Sequence, residues 1–159
     1  MTTLQPLSMR GKVAAIEAAM LADPVRVLGD PTAVRLELQV RHIFERGVYA
    51  RELFIPKGVM LTGQIHKTPQ INIMSYGDLA VLIGDRVTRL NARNGPIIVA
   101  SPAGVKRIAF AHADTVWTTI HGTNLTDLDD IEAYFIAEND EDYAAFQNAQ
   151  VKEIAQCPG

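Results

Sequence analysis

The chain has 159 residues, enough for one domain with its own hydrophobic core. Apolar residues make up 48% and charged residues 21%, which excludes disordered, collagen-like and low-complexity proteins. The net charge of −3 argues against a general nucleic-acid-binding protein, and the single cysteine, Cys157, excludes a disulfide framework and a zinc ribbon.

Membrane insertion and secretion by a signal peptide are not expected. No run approaches the ~18 apolar residues of a spanning helix. The first twelve residues also lack the apolar core of a secretory signal.

The first predicted element is a helix over residues 12–22. This stretch contains five alanines, and Val13, Ile16 and Met20 form an apolar stripe along it. Pro24 ends the pattern, because proline interrupts helical hydrogen bonding. Residues 1–33 are therefore predicted to be an N-terminal helix and linker.

From residue 34 the apolar pattern changes to a period of two, which is typical of half-buried strands. Residues that favour turns, chiefly Gly, Pro, Asn and Asp, separate these runs. One turn is predicted at residues 76–78. Another is predicted at residues 111–114, and His112 lies in it. The predicted strands cover residues 34–41, 49–55, 59–66, 71–74, 79–83, 86–90, 97–100, 105–111 and 115–121. Many short strands joined by turns predict an all-β antiparallel sandwich or barrel over residues 34–122.

Residues 123–159 are predicted to form an acidic helical segment. Thr126 is the expected N-cap of one helix, with Asp129 in its first turn and with Leu128 and Ile131 facing the core. A second helix is expected from about residue 139 to residue 155, since acidic residues suit its first turn.

The charge of the chain is unevenly divided. Residues 1–107 carry 14 Lys and Arg against 8 Asp and Glu, a net of +6, whereas residues 108–159 carry one Lys against 10 acids, a net of −9. A solvated acidic tail region explains this division, and so does attraction between copies of the chain. Because the short amphipathic helices must also dock on something, we expect a homo-oligomer or a subunit of a larger particle.

Two spaced motifs carry the most specific signal. They read Gly58-x4-Gly63-Gln64-Ile65-His66-x3-Gln70-x6-Gly77 and Pro102-x-Gly104-x2-Arg107. This pair resembles the two motifs of the cupin superfamily, and the resemblance implies a double-stranded β-helix, or cupin jelly roll, with flanking helices.

Longer strings are similar to a narrower group, the small cupin-like proteins of tailed bacteriophages and prophages. The strings are residues 47–52, 61–68, 101–107 and 114–121. The resemblance implies a phage origin, a location in the virion or the host cytoplasm, and other phage virion proteins as partners. It implies little chemistry.

The resemblance also raises the question of a metal. Metal-dependent cupins use three His and one Glu, and by position these ligands become Gln64, His66, Gln70 and Arg107. An inward Arg107 would repel a divalent ion by about 8 kcal/mol at ~4 Å and an effective dielectric of ~20. We therefore predict no cofactor and no catalytic residue. The alternative is a divalent transition metal held by His66 with His121 or His112.

The candidate pocket comprises polar and aromatic residues expected to converge inside the barrel, since residues 64 and 66 share strand parity. It consists of Gln64, His66, Gln70, Arg107, Trp117 and His121. Nearby, Tyr49, Arg51 and Glu52 are interpreted as an internal ion-pair group.

Three functions stay open on this evidence. The first is a non-catalytic phage virion structural or accessory protein that acts through self-association. The second is a metal-dependent cupin enzyme, such as a small-substrate dioxygenase or a sugar isomerase, which would rest on fold alone. The third is a metal-free small-ligand binder with a polar site in an apolar barrel mouth.

Overall fold

Strands dominate the part of the chain that the computed structural model describes, residues 39–83 and 86–156 with the isolated positions 11, 15, 16 and 18. The strands are β1 (Gln39–Glu45), β2 (Val48–Ile55), β3 (Met60–Thr62), β4 (Ile65–His66), β5 (Gln70–Ile83), β6 (Arg86–Asn91), β7 (Ile97–Ser101), β8 (Ile108–Gly122) and β9 (Ile136–Ala137). The helices are α1 (Leu128–Phe135) and α2 (Asp140–Gln156). The predicted all-β antiparallel fold is confirmed.

The N-terminal predictions fall mostly outside the described residues. Positions 15, 16 and 18 are helical, in keeping with a helix over residues 12–22. The rest of that helix, residues 19–38 and Cys157 lie outside the described part.

One antiparallel sheet carries most of the structure. Its strands lie in the order β1-β2-β8-β5-β6, while β3 also pairs with β8 and β7 also pairs with β5. The long strands β5 and β8 run side by side, with Ile71 opposite Ile120 near one end and Val81 opposite Ala109 near the other. The short strands β4 and β9 form a separate pair.

Two predicted turns are wrong, because both lie inside continuous strands. Register shifts between Met74 and Leu79 mark a bulged region in β5, and Gly77 has a positive φ of 111° there. A bulge bends a strand and strengthens its twist without ending it, so the glycine at the predicted turn of residues 76–78 serves a bend instead. His112 likewise lies within β8, where Ala111 and Ala113 pair with β5.

The bend brings the inner residues of the two halves of the sheet into one core. Met74 of the first half and Ala111 of the second half are both completely buried. Their cluster also contains Leu53 and Ile55 from β2 and Leu79 and Val81 from the second half of β5. The fold is therefore closed around a core to which both halves contribute.

The helix α1 begins one residue later than predicted. Asp127, not Thr126, is its N-cap, and the Asp127 carboxylate accepts hydrogen bonds from the backbone N–H of Asp129 at 3.0 Å and of Asp130 at 3.1 Å. A carboxylate at this position satisfies two of the free N–H groups of the first turn and suits the positive end of the helix. The helix therefore starts at Leu128.

The buried side of α1 is formed by residues four apart. Ile131 and Phe135 are buried and pack with Tyr49 of β2 in a second hydrophobic cluster. Leu128 is 42% exposed, so its predicted inward orientation is wrong, whereas that of Ile131 is right.

The helix α2 packs through Tyr143 onto the second sequence motif. Gly104 has a φ of 76°, and a Cβ built on it would come within 2.4 Å of the Tyr143 ring. A side chain at residue 104 is therefore excluded by both backbone conformation and space. Among the helices of the described residues, none has the length and apolar character needed to span a membrane.

Candidate functional site

A cavity of about 120 Å³ lies between the two halves of the bent sheet. One side of its lining is apolar and includes Leu53, Ile55, Leu79, Val81 and Trp117. The polar side chains that line it are Arg51, Thr62, Gln64, His66, Gln70, Asn72, Arg107 and Thr119. An apolar chamber with a few polar groups is the usual composition of a small-molecule site.

Cross-strand register sorts these side chains into rows. Arg51 of β2 lies opposite Thr119 of β8, which lies opposite Asn72 of β5. Because side chains alternate along a strand, the next inward row is two residues away, and there Leu53 lies opposite Trp117. A polar row and an apolar row thus lie side by side on the inner face.

The polar row is organised by the buried Asn72 amide. Its Nδ2 donates to Ser101 Oγ at 2.6 Å, and its Oδ1 accepts from Thr119 Oγ1 at 2.8 Å and from Trp117 Nε1 at 3.2 Å. One amide therefore holds three side chains from two neighbouring strands, which fixes the orientation of the Trp117 ring at the cavity wall.

His66 and His121 lie together at the polar end. Their ring centroids are 5.2 Å apart, and His121 also stacks on Phe135 of α1 at 4.1 Å. The Nδ1 atoms of both histidines are buried and have no hydrogen-bond partner among the described residues.

Both histidines are neutral at physiological pH. Burial, together with the nearby His121, Arg107 and Arg51, lowers the pKa of His66 to about 3. Burial also lowers the pKa of His121 to about 4. The histidine pair therefore adds no positive charge to the cavity at neutral pH.

The positive charge of the cavity comes from Arg51 and Arg107. Burial lowers the pKa of both guanidinium groups, although arginine stays protonated in proteins. Within residues 39–83 and 86–156, neither forms an ion pair within 4.0 Å. The acid that affects Arg51 is the exposed Glu132 of α1, which accepts a hydrogen bond from Gln64 Nε2 at 3.2 Å.

The structure brings together most of the residues that the sequence singled out. The cavity is lined by Gln64, His66, Gln70, Arg107 and Trp117, whereas His121 lies behind His66 and is 5% exposed. His112 does not join them, because its ring packs edge-on against Phe110, which shares its face of β8.

The interpretation of Arg51 as part of an internal ion pair is wrong. Arg51 and Glu52 are neighbours in β2 and so face opposite sides of the sheet, and Glu52 pairs with Arg41 at 2.9 Å. Arg51, Asn72 and Thr119 are site residues that sequence reasoning missed. The one signal available in the sequence was a charged residue at an inward-facing position of β2, two residues after the apolar Tyr49 and two residues before Leu53.

The residues around the cavity do not fit a divalent transition metal. In the part of the chain that the structure describes, no group of three or more His, Cys, Asp or Glu side chains could hold a metal ion. At the cavity one imidazole, His66, stands with three neutral amides, Gln64, Gln70 and Asn72, and with two arginines. Neutral amides are weak ligands for such ions, and two guanidinium charges oppose a dication.

Comparisons with known proteins return structural likenesses only. No protein-family model matches the sequence, and no curated protein matches it. Similar solved structures include a cupin superfamily protein from Desulfitobacterium hafniense, 10% identical with a TM-score of 0.44, covering 56% of this chain and 80% of that chain. KdgF from Halomonas sp. is 16% identical with a TM-score of 0.46, covering 59% of this chain and 83% of its own.

A cupin 2 domain-containing protein from Halorhodospira halophila is 14% identical with a TM-score of 0.46, covering 77% of this chain and 83% of that chain. Likenesses this distant transfer no function to this chain.

Proposed function

We propose that this protein is a metal-free binder of a small ligand, and that the ligand occupies the cavity between the two halves of the sheet. One observation carries the proposal: a cavity of about 120 Å³ is lined both by apolar side chains and by polar side chains that include Gln64, His66 and Gln70. A bound ligand would contact both kinds of side chain.

The dimensions of the cavity limit the ligand. A cavity of about 120 Å³ is close to the ~150 Å³ apolar cavity that is known to hold benzene. We therefore expect a ligand of about six non-hydrogen atoms, with an apolar part against Leu79, Val81 and Trp117.

A binding role is favoured over catalysis by the state of His66. Catalysis by a general base is most efficient when the pKa of the base lies near the working pH. The pKa of His66 is about 3, so this imidazole is a poor base at neutral pH.

The proposal is tested by nuclear magnetic resonance with a library of neutral and charged fragments of about six non-hydrogen atoms. The Trp117 Nε1–H signal is the reporter, because this group donates to Asn72 beside the cavity. Saturable shifts in the wild-type protein are expected, and Ala109→Leu should abolish them because residue 109 lines the cavity.

Ala145→Leu is the matched control, since residue 145 is exposed on α2, does not line the cavity and should leave binding unchanged. If no fragment shifts Trp117 at concentrations of several millimolar, the ligand-binding function is wrong. Saturable binding of Mn²⁺ or Zn²⁺ that is lost in His66→Gln would contradict the proposal that the site contains no metal.

A second candidate function is that of a structural or accessory phage component that self-associates. Its support is the outer apolar face, a row in which Ile43, Ala50, Ile120, Ile71 and Ala100 lie opposite one another across five strands. In this row Ile71 is 50% exposed, and Ile98 beside it is 70% exposed. A continuous exposed apolar surface commonly marks a protein interface.

A second copy of the chain is the proposed occupant of this face. The net charges of +6 on residues 1–107 and −9 on residues 108–159 favour contact between copies. The phage part of this candidate rests on the motif resemblance described above.

Sedimentation at about 100 μM and low salt tests the self-association. A dimer or trimer is expected, and the double variant Ile71→Glu with Ile98→Glu should dissociate it. Val87→Glu is the control, because Val87 is 66% exposed on β6, outside the face. A compact wild-type monomer would contradict self-association, and absence of the protein from purified particles of the encoding phage would contradict a virion role.

A further inference from the structure

We infer that the ligand of this cavity is a small organic anion, whose carboxylate is held by Arg51 and Arg107 and whose hydrocarbon part lies against the apolar wall. This inference rests on the ligand-binding function proposed above and specifies the chemical class of the ligand.

The two arginines reach the cavity from different parts of the chain. Arg51 projects from the inward phase of β2, opposite Thr119 in the sheet. Arg107 directly precedes β8, and its backbone oxygen accepts a hydrogen bond from Gly63 N at 2.8 Å. Both side chains therefore start from backbone that is held by hydrogen bonds, which is the preorganisation that an anion site needs.

Neither guanidinium is neutralised by the described residues. The ion pairs found there involve other cations, namely Arg41 with Glu52, Lys67 with Asp142 and Arg89 with Asp78. A half-buried charge without a counter-ion is unfavourable, and a carboxylate can satisfy a guanidinium with two parallel hydrogen bonds. Two such groups on one cavity select for a negatively charged ligand.

The other charged groups near the site are consistent with this selection. His66 is neutral and so neither repels the arginines nor attracts the anion by charge. Glu132 affects Arg51 but is exposed on α1 and is not part of the cavity lining. Its charge should weaken anion binding, so neutralising it should strengthen the binding.

The apolar wall distinguishes an organic anion from an inorganic one. Leu53, Leu79 and Val81 line the cavity together with the Trp117 ring, and these surfaces cannot replace the hydration of a phosphate or sulfate ion. A short hydrocarbon chain fits them and the volume of about 120 Å³. Butyrate, with six non-hydrogen atoms, has both required parts.

Titration of the full chain with butyrate, butyramide and inorganic phosphate tests the inference by calorimetry or by the Trp117 Nε1–H shift. Butyramide has nearly the same shape as butyrate and no charge. We expect butyrate to bind at least tenfold more tightly than butyramide and than phosphate. Arg107→Gln and Arg51→Gln should each weaken butyrate binding at least tenfold, and Glu132→Gln should strengthen it a few fold.

The control variant is Arg93→Gln, because Arg93 is exposed and does not line the cavity. It should bind butyrate as the wild type does. Arg107→Lys keeps the charge but not the paired hydrogen bonds, so an intermediate affinity is expected from it if Arg107→Gln does not fold.

The outcomes separate this inference from the function on which it rests. If butyramide binds as tightly as butyrate and both arginine variants bind normally, the anion inference is wrong and the ligand-binding function stands. If phosphate binds as tightly as butyrate, the inference that the ligand is an organic anion is wrong. If none of the three compounds binds and the fragment library also leaves the Trp117 signal unshifted, the anion inference and the ligand-binding function are both wrong.

Discussion

Gly77 lies against Thr115 where β5 and β8 bend together: a Cβ on residue 77 would come within 2.2 Å of the Thr115 hydroxyl oxygen. Thr115 is completely buried, and its hydroxyl donates to the Ala113 carbonyl at 2.8 Å and accepts from Asp78 N at 3.2 Å. Gly77 also has a φ of 111°. Conformation and space together exclude any side chain at the bend that closes the sheet around the cavity.

Gly77→Ala should therefore destabilise the protein by about 3 kcal/mol or more. The positive φ accounts for roughly 1–2 kcal/mol and the crowding against Thr115 for about 1–3 kcal/mol. Urea unfolding measures the difference. Gly58→Ala is the matched control, because Gly58 has a φ of 86° with nothing within 4 Å of a built Cβ. Equal losses in the two variants would show that the contact with Thr115 is unimportant.

Asn72→Ala should cost about 3 kcal/mol, because it leaves Trp117 Nε1–H, Thr119 and Ser101 without their shared partner. The free energy of unfolding in urea and the Trp117 fluorescence report the change. Gln147→Ala removes one surface hydrogen bond, to Tyr143, and should cost under ~0.5 kcal/mol. A loss below 1 kcal/mol for Asn72→Ala would contradict the network.

Acid should destabilise the protein through His66 and His121. Their folded-state pKa values are about 3 and about 4, below the ~6.5 of an unfolded chain. Below pH 6.5 the unfolded state therefore binds protons that the folded state does not, and stability falls as the pH falls towards 4. Above pH 7 the two histidines contribute no pH dependence.

At pH 5 the expected loss is about 2 kcal/mol for each histidine relative to pH 7.5. Urea unfolding at both pH values measures it. The double variant His66→Gln with His121→Gln should lose most of this dependence. If the variant loses as much stability between the two pH values as the wild type does, the low histidine pKa values are wrong.

Asp127→Ala should destabilise the protein by about 1 kcal/mol, the usual cost of removing an N-cap. Asp127→Asn keeps the acceptor oxygen and should retain most of the stability. Thr126→Ala tests the cap that the sequence predicts and should have little effect. If Thr126→Ala lowers the free energy of unfolding more than Asp127→Ala does, Thr126 is the N-cap, as the sequence predicts.

Local patterns in the sequence were sufficient for many of the strands, and the motif resemblance indicated the candidate site. A period of two identifies a strand with one buried face wherever it occurs, so the strands covering residues 49–55, 86–90 and 97–100 are found almost as predicted. The resemblance of the two motifs to those of the cupin superfamily implied Gln64, His66, Gln70 and Arg107 as one set, and all four line one cavity. These signals are short-range, because they depend on residues that are neighbours in the chain.

Tertiary structure alone decided which side chains line the cavity. The pairing of β2, β8 and β5 places Arg51 in one row with Thr119 and Asn72. Glu52, the apparent partner of Arg51 in the sequence, faces the other side of β2 and pairs with Arg41. Likewise, His121 meets Phe135 only because α1 packs over the end of the sheet. Pairing between strands depends on backbone hydrogen bonds that every residue type except proline can make in the same way. The sequence of one strand therefore does not specify which residues of a second strand will lie opposite its own residues. The charged side chains that face the cavity are set only when the sheet closes.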